Sequence, residues 1–284
     1  MRSDLASGPR RGTVASGTQI RTIGALVRAG FARYSTYRQA MLAASFTNSV
    51  FGFLRCFVLL AAVRSAGGLA GGSDAAQLAT YAWVTQGLIG TVMLWGWSEL
   101  GDRIRSGDVV TDLLRPVHPV LSYLAEDLGR AAYAAFTRFL IPIVVGAIFF
   151  DLYAPRSWGT YPLFVASVAL GTVVSFGCRY LFNAAGFWLL DTRGVMLLWA
   201  VATILLCGLA FPLHFLPQPA VIVLWIATPF PSIMQSPLDV LVERGPAAVR
   251  VGLVAGQAAW AILLLWLCRY VQKRAERRLV IQGG

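Results

Sequence analysis

Long apolar runs separated by short polar stretches dominate the chain. Six of them reach the roughly 20 residues a helix needs to cross a bilayer: Met41–Val63, Leu78–Trp97, Gly129–Phe150, Pro162–Leu190, Gly194–Leu216 and Ala247–Tyr270. Tryptophan and tyrosine fall near several of their ends (Tyr81, Trp97, Trp158, Tyr161, Trp199, Tyr270), as an interfacial aromatic belt requires. Upstream, over residues 23–40, Leu26, Phe31, Tyr34 and Tyr37 recur near helical spacing with arginines between them. This predicts an amphipathic helix lying along the membrane surface and feeding the first span. Residues 1–22 carry Ser, Gly, Thr and Arg without an apolar run and are expected to be a disordered basic tail. An organelle transit peptide would share that composition; a flexible tail touching anionic lipid is the simpler reading, and the core of a cleaved signal peptide is missing.

Composition sharpens the class. Of the 284 residues 57% are apolar and 13% charged, about half the charged share of a soluble domain. That is too little polar surface to cover such a core in water. The fold expected is therefore an all-α integral membrane protein with six transmembrane helices.

The net charge of +11 comes with only one lysine, Lys273. Because the basic residues flank apolar spans, anionic lipid is the expected partner and nucleic acid is not. With the N-terminus inside, 17 of the 24 basic residues fall on the cytoplasmic side and four (Arg64, Arg156, Arg244, Arg250) outside. The positive-inside rule then places both termini, including a basic tail over 271–284, in the cytoplasm.

Three arginines lie within spans. Arg138, two turns from Arg130, reads as snorkelling or pairing with a carbonyl; Arg55 and Arg179 are deeper and either do the same or line a polar translocation path. No carboxylate falls near mid-span, which counts against an ion-driven carrier. Four isolated cysteines (Cys56, Cys178, Cys207, Cys268) read as packing residues, and His118 and His214 are too far apart for a local metal pair. The one lysine sits in a basic tail, not in a GxxxxGK[ST] loop, so the chain lacks the standard phosphate cradle for ATP.

Two loops carry the remaining information. In GDRIRSGDVVTDLLRPVHP, Asp108 is placed to cap a short helix whose apolar face is Val109, Val110, Leu113 and Leu114, and Pro116 ends it. Such a helix suits a cytoplasmic docking surface, or merely covers the membrane edge. Between Phe211 and Pro246, Pro212, Pro217, Pro219, Pro229, Pro231 and Pro237 interrupt an apolar stretch too short to cross. It reads either as an external re-entrant hairpin before the last span or as an external loop with two interfacial helices.

Taken together, the amphipathic lead-in with Tyr37-Arg38, the run IRSGDVVTDLLRP from Ile104 to Pro116, and TPFPSIMQSP from Thr228 to Pro237 resemble an ABC-2-type transporter permease. The likeness spans nearly everything after the tail, as one six-span domain over 41–270. It implies a permease in a bacterial cytoplasmic membrane with no ATPase, and no cofactor, of its own. ATP and Mg would be bound by separate ATP-binding-cassette subunits, and a second membrane subunit, alike or different, would complete the path. The loop after the second span would be the coupling helix, with Asp108, Thr111, Asp112, Leu114 and Arg115 as contact candidates. The proline-rich hairpin, with Pro229, Phe230, Pro231 and Pro237, would form an external gate. Export of an amphipathic or hydrophobic compound is the activity implied. The competing classes are an ATPase-driven subunit for envelope or lipid remodelling, an ion-coupled carrier or channel, and a membrane-embedded enzyme.

Overall fold

The structure is a computed structural model describing residues 16–96, 99–113, 117–189 and 191–282. Helices α1 (Ser16–Ser35), α2 (Arg38–Ser65) and α3 (Ala75–Val92) are followed by the short α4 (Glu99–Ser106) and α5 (Val109–Leu113). Helices α6 (Pro119–Ala134) and α7 (Leu140–Phe149) run on through a π-helical turn at Ala135–Phe139. Then come α8 (Thr160–Ala184), α9 (Arg193–Leu206), α10 (Gln218–Ala227), α11 (Phe230–Ile233), α12 (Gln235–Leu241) and α13 (Ala247–Gln282). No strand occurs among the described residues, only an isolated bridge between Ala70 and Ser73.

Four helices are long and apolar enough to cross a membrane: Gln39–Ser65, Pro119–Phe149, Thr160–Phe187 and Ala247–Arg277. The expectation of six is met only to that extent. The fifth expected span breaks at Cys207, leaving a 14-residue α9. The second is α3, which ends at Met93 in the left-handed region (φ 50°) rather than running to Trp97. Its polar side chains lower its hydropathy, and several of its polar groups are matched inside the protein. Thr85 Oγ1 donates to Tyr81 O (2.6 Å), Asn48 Nδ2 to Gln86 O (3.0 Å), and Gln77 Nε2 to Val242 O (3.0 Å). A helix hydrogen-bonded on several sides belongs in the middle of a bundle, and α3 is buried from Leu78 to Leu88 without a break.

Small residues set how closely its neighbours approach. Trp83 of α3 is fully buried between Gly52 of α2 and Gly146 of α7, where a Cβ would come within 2.7 Å and 2.5 Å of the indole. Phe53 meets the same ring edge-on at 5.0 Å. The π-helical turn between α6 and α7 also has a local cause. Pro142 has no N–H for the carbonyl of Arg138 and its ring crowds that turn, so the hydrogen-bond ladder re-registers just upstream.

The two ends of the chain differ from the sequence expectation. Helix α1 begins at Ser16, so residues 16–22 are helical rather than part of a disordered tail. It is also more than a surface helix. Gly30 packs on the carbonyl of Glu126 and Gly129 on that of Val27, so α1 and α6 touch backbone to backbone, and Phe31 meets Tyr133 edge-on at 5.3 Å. Helix α13 continues past Tyr270 to Gln282, a length of about 54 Å against a hydrocarbon core of about 30 Å. The segment expected as a tail packs into the protein: Tyr180 Oη donates to Gln272 Oε1 at 2.7 Å, and Gln272 and Ala275 are fully buried.

Candidate functional site

At one end of the bundle α4 and α5 form an elbow around Gly107, whose φ of 84° is strained for any side chain. Arg103 of α4 fastens the elbow. Its Nε and Nη2 donate to the two oxygens of Asp112, both at 2.9 Å, and Nη2 also reaches Thr111 Oγ1 (2.9 Å) and Asp108 O (3.2 Å). Tyr123 Oη donates to Asp112 Oδ2 at 2.7 Å from α6. Val109 is 1% exposed and joins a small core with Leu100, Val120, Phe176 and Tyr180.

Asp112 is thus 4% exposed and holds the elbow together from within, rather than standing free on its surface as a contact candidate. Thr111 Oγ1 donates to Asp108 O (2.7 Å) while accepting from Arg103, so it is engaged within the elbow although the residue is exposed. Asp108 accepts from Ser106 Oγ at 2.7 Å, making a turn before α5 where the sequence suggests a helix cap. It remains exposed, as does Val110 at 48%. Leu114 and Arg115 lie outside the described residues.

Behind the elbow lies a buried ionic cluster. Asp127 of α6 accepts from Arg130 Nε and from Arg179 Nη2, both at 2.7 Å, with side-chain exposures of 7%, 4% and 0%. Arg130 also donates to the carbonyls of Gly90 (2.6 Å) and Thr91 (2.9 Å), capping the end of α3 where no further helical turn takes them. Ser175 Oγ donates to Met93 O (3.2 Å) and accepts from Arg179 Nε (3.3 Å). Arg179 is therefore enclosed between α6 and α8, and does not line an open polar path. Arg130 belongs to the same cluster rather than to a solvated loop. The sequence reading missed Asp127 because it started the third span at Gly129; the Asp127–Arg130 spacing of i, i+3 was the available signal.

Arg55 of α2 is half-buried, within electrostatic reach of Tyr81 and Cys207. Arg138 lies in the π-helical turn against Gly90. The four cysteines are free and buried. His118 caps α6, its Nδ1 accepting from Val120 N at 3.3 Å.

At the opposite end Glu243 gathers three segments. Its carboxylate accepts from Tyr153 Oη (2.7 Å), Arg156 N (2.8 Å), Ser157 N (3.1 Å), Thr160 Oγ1 (2.6 Å) and Arg250 Nη1 (3.1 Å). Burial alone would raise this carboxyl. The hydrogen bonds from Thr160, Arg156, Tyr153 and Ser157 outweigh it and draw the group from an ordinary 4.5 down to about 2. A depressed acid stabilises the fold above its unfolded pKa and loses that contribution as pH falls through the folded one. Glu243→Gln is expected to lower the melting temperature at pH 7 by about 3 °C or more. The gap to the native protein should shrink as the pH falls from about 4.5 towards 2. Melting curves at pH 7, 4 and 3 check this; an unchanged gap at pH 3 contradicts it.

From that end, α11 and α12 reach inward. Ser232 O accepts from Gln257 Nε2 (2.7 Å), ten residues into α13, and Gln257 Oε1 accepts from Ser167 Oγ (2.6 Å) of α8. The carbonyl of Ile233 packs on Gly171, eleven residues into α8. At 1.5 Å per residue this puts the α11 turn about 15 Å below the Glu243 level. Phe230 stacks on Trp199 at 5.7 Å. Pro231 and Pro237 are buried and Pro229 is half-buried beside them, so all four candidate gate residues lie in or next to this inward turn.

A family model described as ABC-2 family transporter protein matches residues 46–283. No curated protein and no solved structure gives a match.

Proposed function

The chain belongs to the ABC-2 family of transporters, and on that footing we propose that it is the permease subunit of an ATP-driven exporter. As an integral membrane protein it supplies the path, and separate ATP-binding-cassette subunits bind ATP and Mg and supply the work. The observation that carries this reading is the α4–α5 elbow: a rigid, internally clamped projection at one end of a membrane bundle, with Asp108 and Val110 left exposed on it. A lever that transmits motion must move as one body, and the Arg103 clamp gives the elbow that property.

In this reading the elbow, with Leu114 and Arg115 next to it in sequence, rests on an ATPase on the cytoplasmic side. The basic excess at this end supports a cytoplasmic position for both termini. Helices α3 and α9 complete six crossings beside the four long apolar helices, and the inward-reaching α10–α12 segment is the external re-entrant gate. A second membrane subunit faces this one around the path, and Arg55 borders it. ATP binding closes the two ATPases, and their differential affinity for the two states of the permease shifts which side is open. The cargo is an amphipathic or hydrophobic compound. The reading is tested by extracting the tagged chain from its native host in mild detergent. A stoichiometric P-loop ATPase in the eluate is the expected result; recovery of the chain alone, under conditions that preserve other membrane complexes, would refute it.

A further inference from the structure

A cavity of about 750 Å³ opens beside α10–α12, at the end of the bundle that carries Glu243. Its size falls within the range of small-molecule sites. One wall is polar, made by His214, Ser232, Gln235, Asp239 and Arg244; the other is apolar, with Trp225 of α10 and Leu253 and Trp260 of α13. Gly252 and Gly256 border it and are exposed, and a Cβ on either would meet nothing within 4 Å. The cavity therefore opens along the surface of a membrane-crossing helix.

The polar wall is incompletely satisfied. Asp239 is 6% exposed, and its Oδ1 accepts from Gln235 Nε2 at 2.8 Å. No protein donor reaches Oδ2 among the described residues, and His214 Nδ1 stands 4.0 Å from Oδ1. The oxygen of Gln235 is held by Tyr81 Oη (2.7 Å) and Leu213 N (3.0 Å), which fixes how the amide is turned. A buried carboxylate with one hydrogen bond is costly unless a cation joins it.

Arg244 donates to Ser73 Oγ (2.8 Å) and Gly71 O (2.7 Å) and keeps further N–H groups. His214 Nε2 is buried with no partner, and the adjoining Cδ2 packs on Gly71, the residue whose carbonyl holds Arg244. One wall thus offers an acceptor for a cation and, beside it, groups for an anion, and it faces an apolar surface open to the membrane.

We propose that this cavity binds an amphipathic zwitterion of the aminophospholipid kind. The primary ammonium rests on Asp239, the phosphate lies against Arg244 and His214, and an acyl chain runs along Trp225, Leu253 and Trp260 past the two glycines. A lipid with an uncharged headgroup supplies the phosphate and the chain but leaves Asp239 unpaired. The site requires only that the chain lies in a bilayer, and it stands whether or not the α4–α5 elbow docks an ATPase.

Burial pushes the Asp239 carboxyl up to about 7, against the opposing pull of Gln235 and Arg244. A proton therefore competes with the ammonium. Tyr81, His214 and Arg244 are the other titratable or charged groups around it.

The test is native mass spectrometry of the purified full chain titrated with phosphatidylethanolamine and phosphatidylglycerol of identical acyl chains. Phosphatidylethanolamine is expected to bind about ten-fold tighter, the worth of one charge-assisted hydrogen bond. The preference should grow between pH 6 and pH 8, and Asp239→Asn should abolish it. Gly256→Leu, placed where its Cβ has open space, should weaken both lipids by narrowing the cavity mouth. Equal binding of the two lipids by the native chain would overturn the proposal. So would a preference that survives Asp239→Asn, or equal binding of glycerophosphoethanolamine without chains.

Discussion

Replacing Asp127 by alanine is expected to destabilise the protein by about 3–5 kcal/mol, because it leaves Arg130 and Arg179 buried together without a counter-ion. Few single changes outside a core cavity reach that size. Arg179→Gln should cost less, since Asp127 keeps its bond to Arg130. The double variant Asp127→Asn with Arg179→Leu should recover part of the loss, as residues in one network are not additive. Thermal or denaturant unfolding of the purified variants measures this series. An Asp127→Ala protein within about 0.5 kcal/mol of the native one, the range of an ordinary surface change, would show that the cluster is not what ties α3, α6 and α8.

The second large effect concerns the elbow. Arg103→Ala removes the side chain that joins Asp112, Thr111 and the carbonyl of Asp108. Val109 in its small core and Tyr123 on Asp112 remain, so insertion and the membrane bundle should survive. Amide exchange across residues 108–113 should rise, since local stability follows local contacts. ATP-driven transport should fall by at least about ten-fold, because a loosened lever transmits little of the ATPase motion. Val110→Asp, on the exposed side of α5, should give the same loss without the rise in exchange. Full transport by both variants would remove the elbow from the mechanism.

Much of this fold was legible because membrane helices announce themselves by length and hydropathy. The four long helices overlap their expected spans by most of their residues. The parts that were not legible share a physical cause: polar groups satisfied by tertiary partners. Helix α3 looks less like a span because Gln77, Thr80 and Tyr81 are matched by groups far away in sequence, which no local pattern reveals. Arg179 looked like a pathway residue because its counter-ion sits 52 positions upstream. Asp112 looked like a docking residue because the loop reads as solvated, whereas Arg103 and Tyr123 fold over it. The breaks between α9 and α13 were legible from the prolines there. The parts played by Gln235, Asp239 and Glu243 were not, since they depend on which helices come to meet them. Gly30 and Gly129 gave no sign of pairing, because close backbone packing between two helices leaves no periodic mark.

This chain should carry substrate only when a separate ATPase drives it. The most direct measurement is flux of a fluorescent amphipathic compound in proteoliposomes, with the chain alone and with its co-purified ATPase, each with and without ATP and Mg. Flux is expected only when both proteins, ATP and Mg are present, and should be lost on Arg103→Ala. Flux by the chain alone, indifferent to ATP, would contradict that expectation.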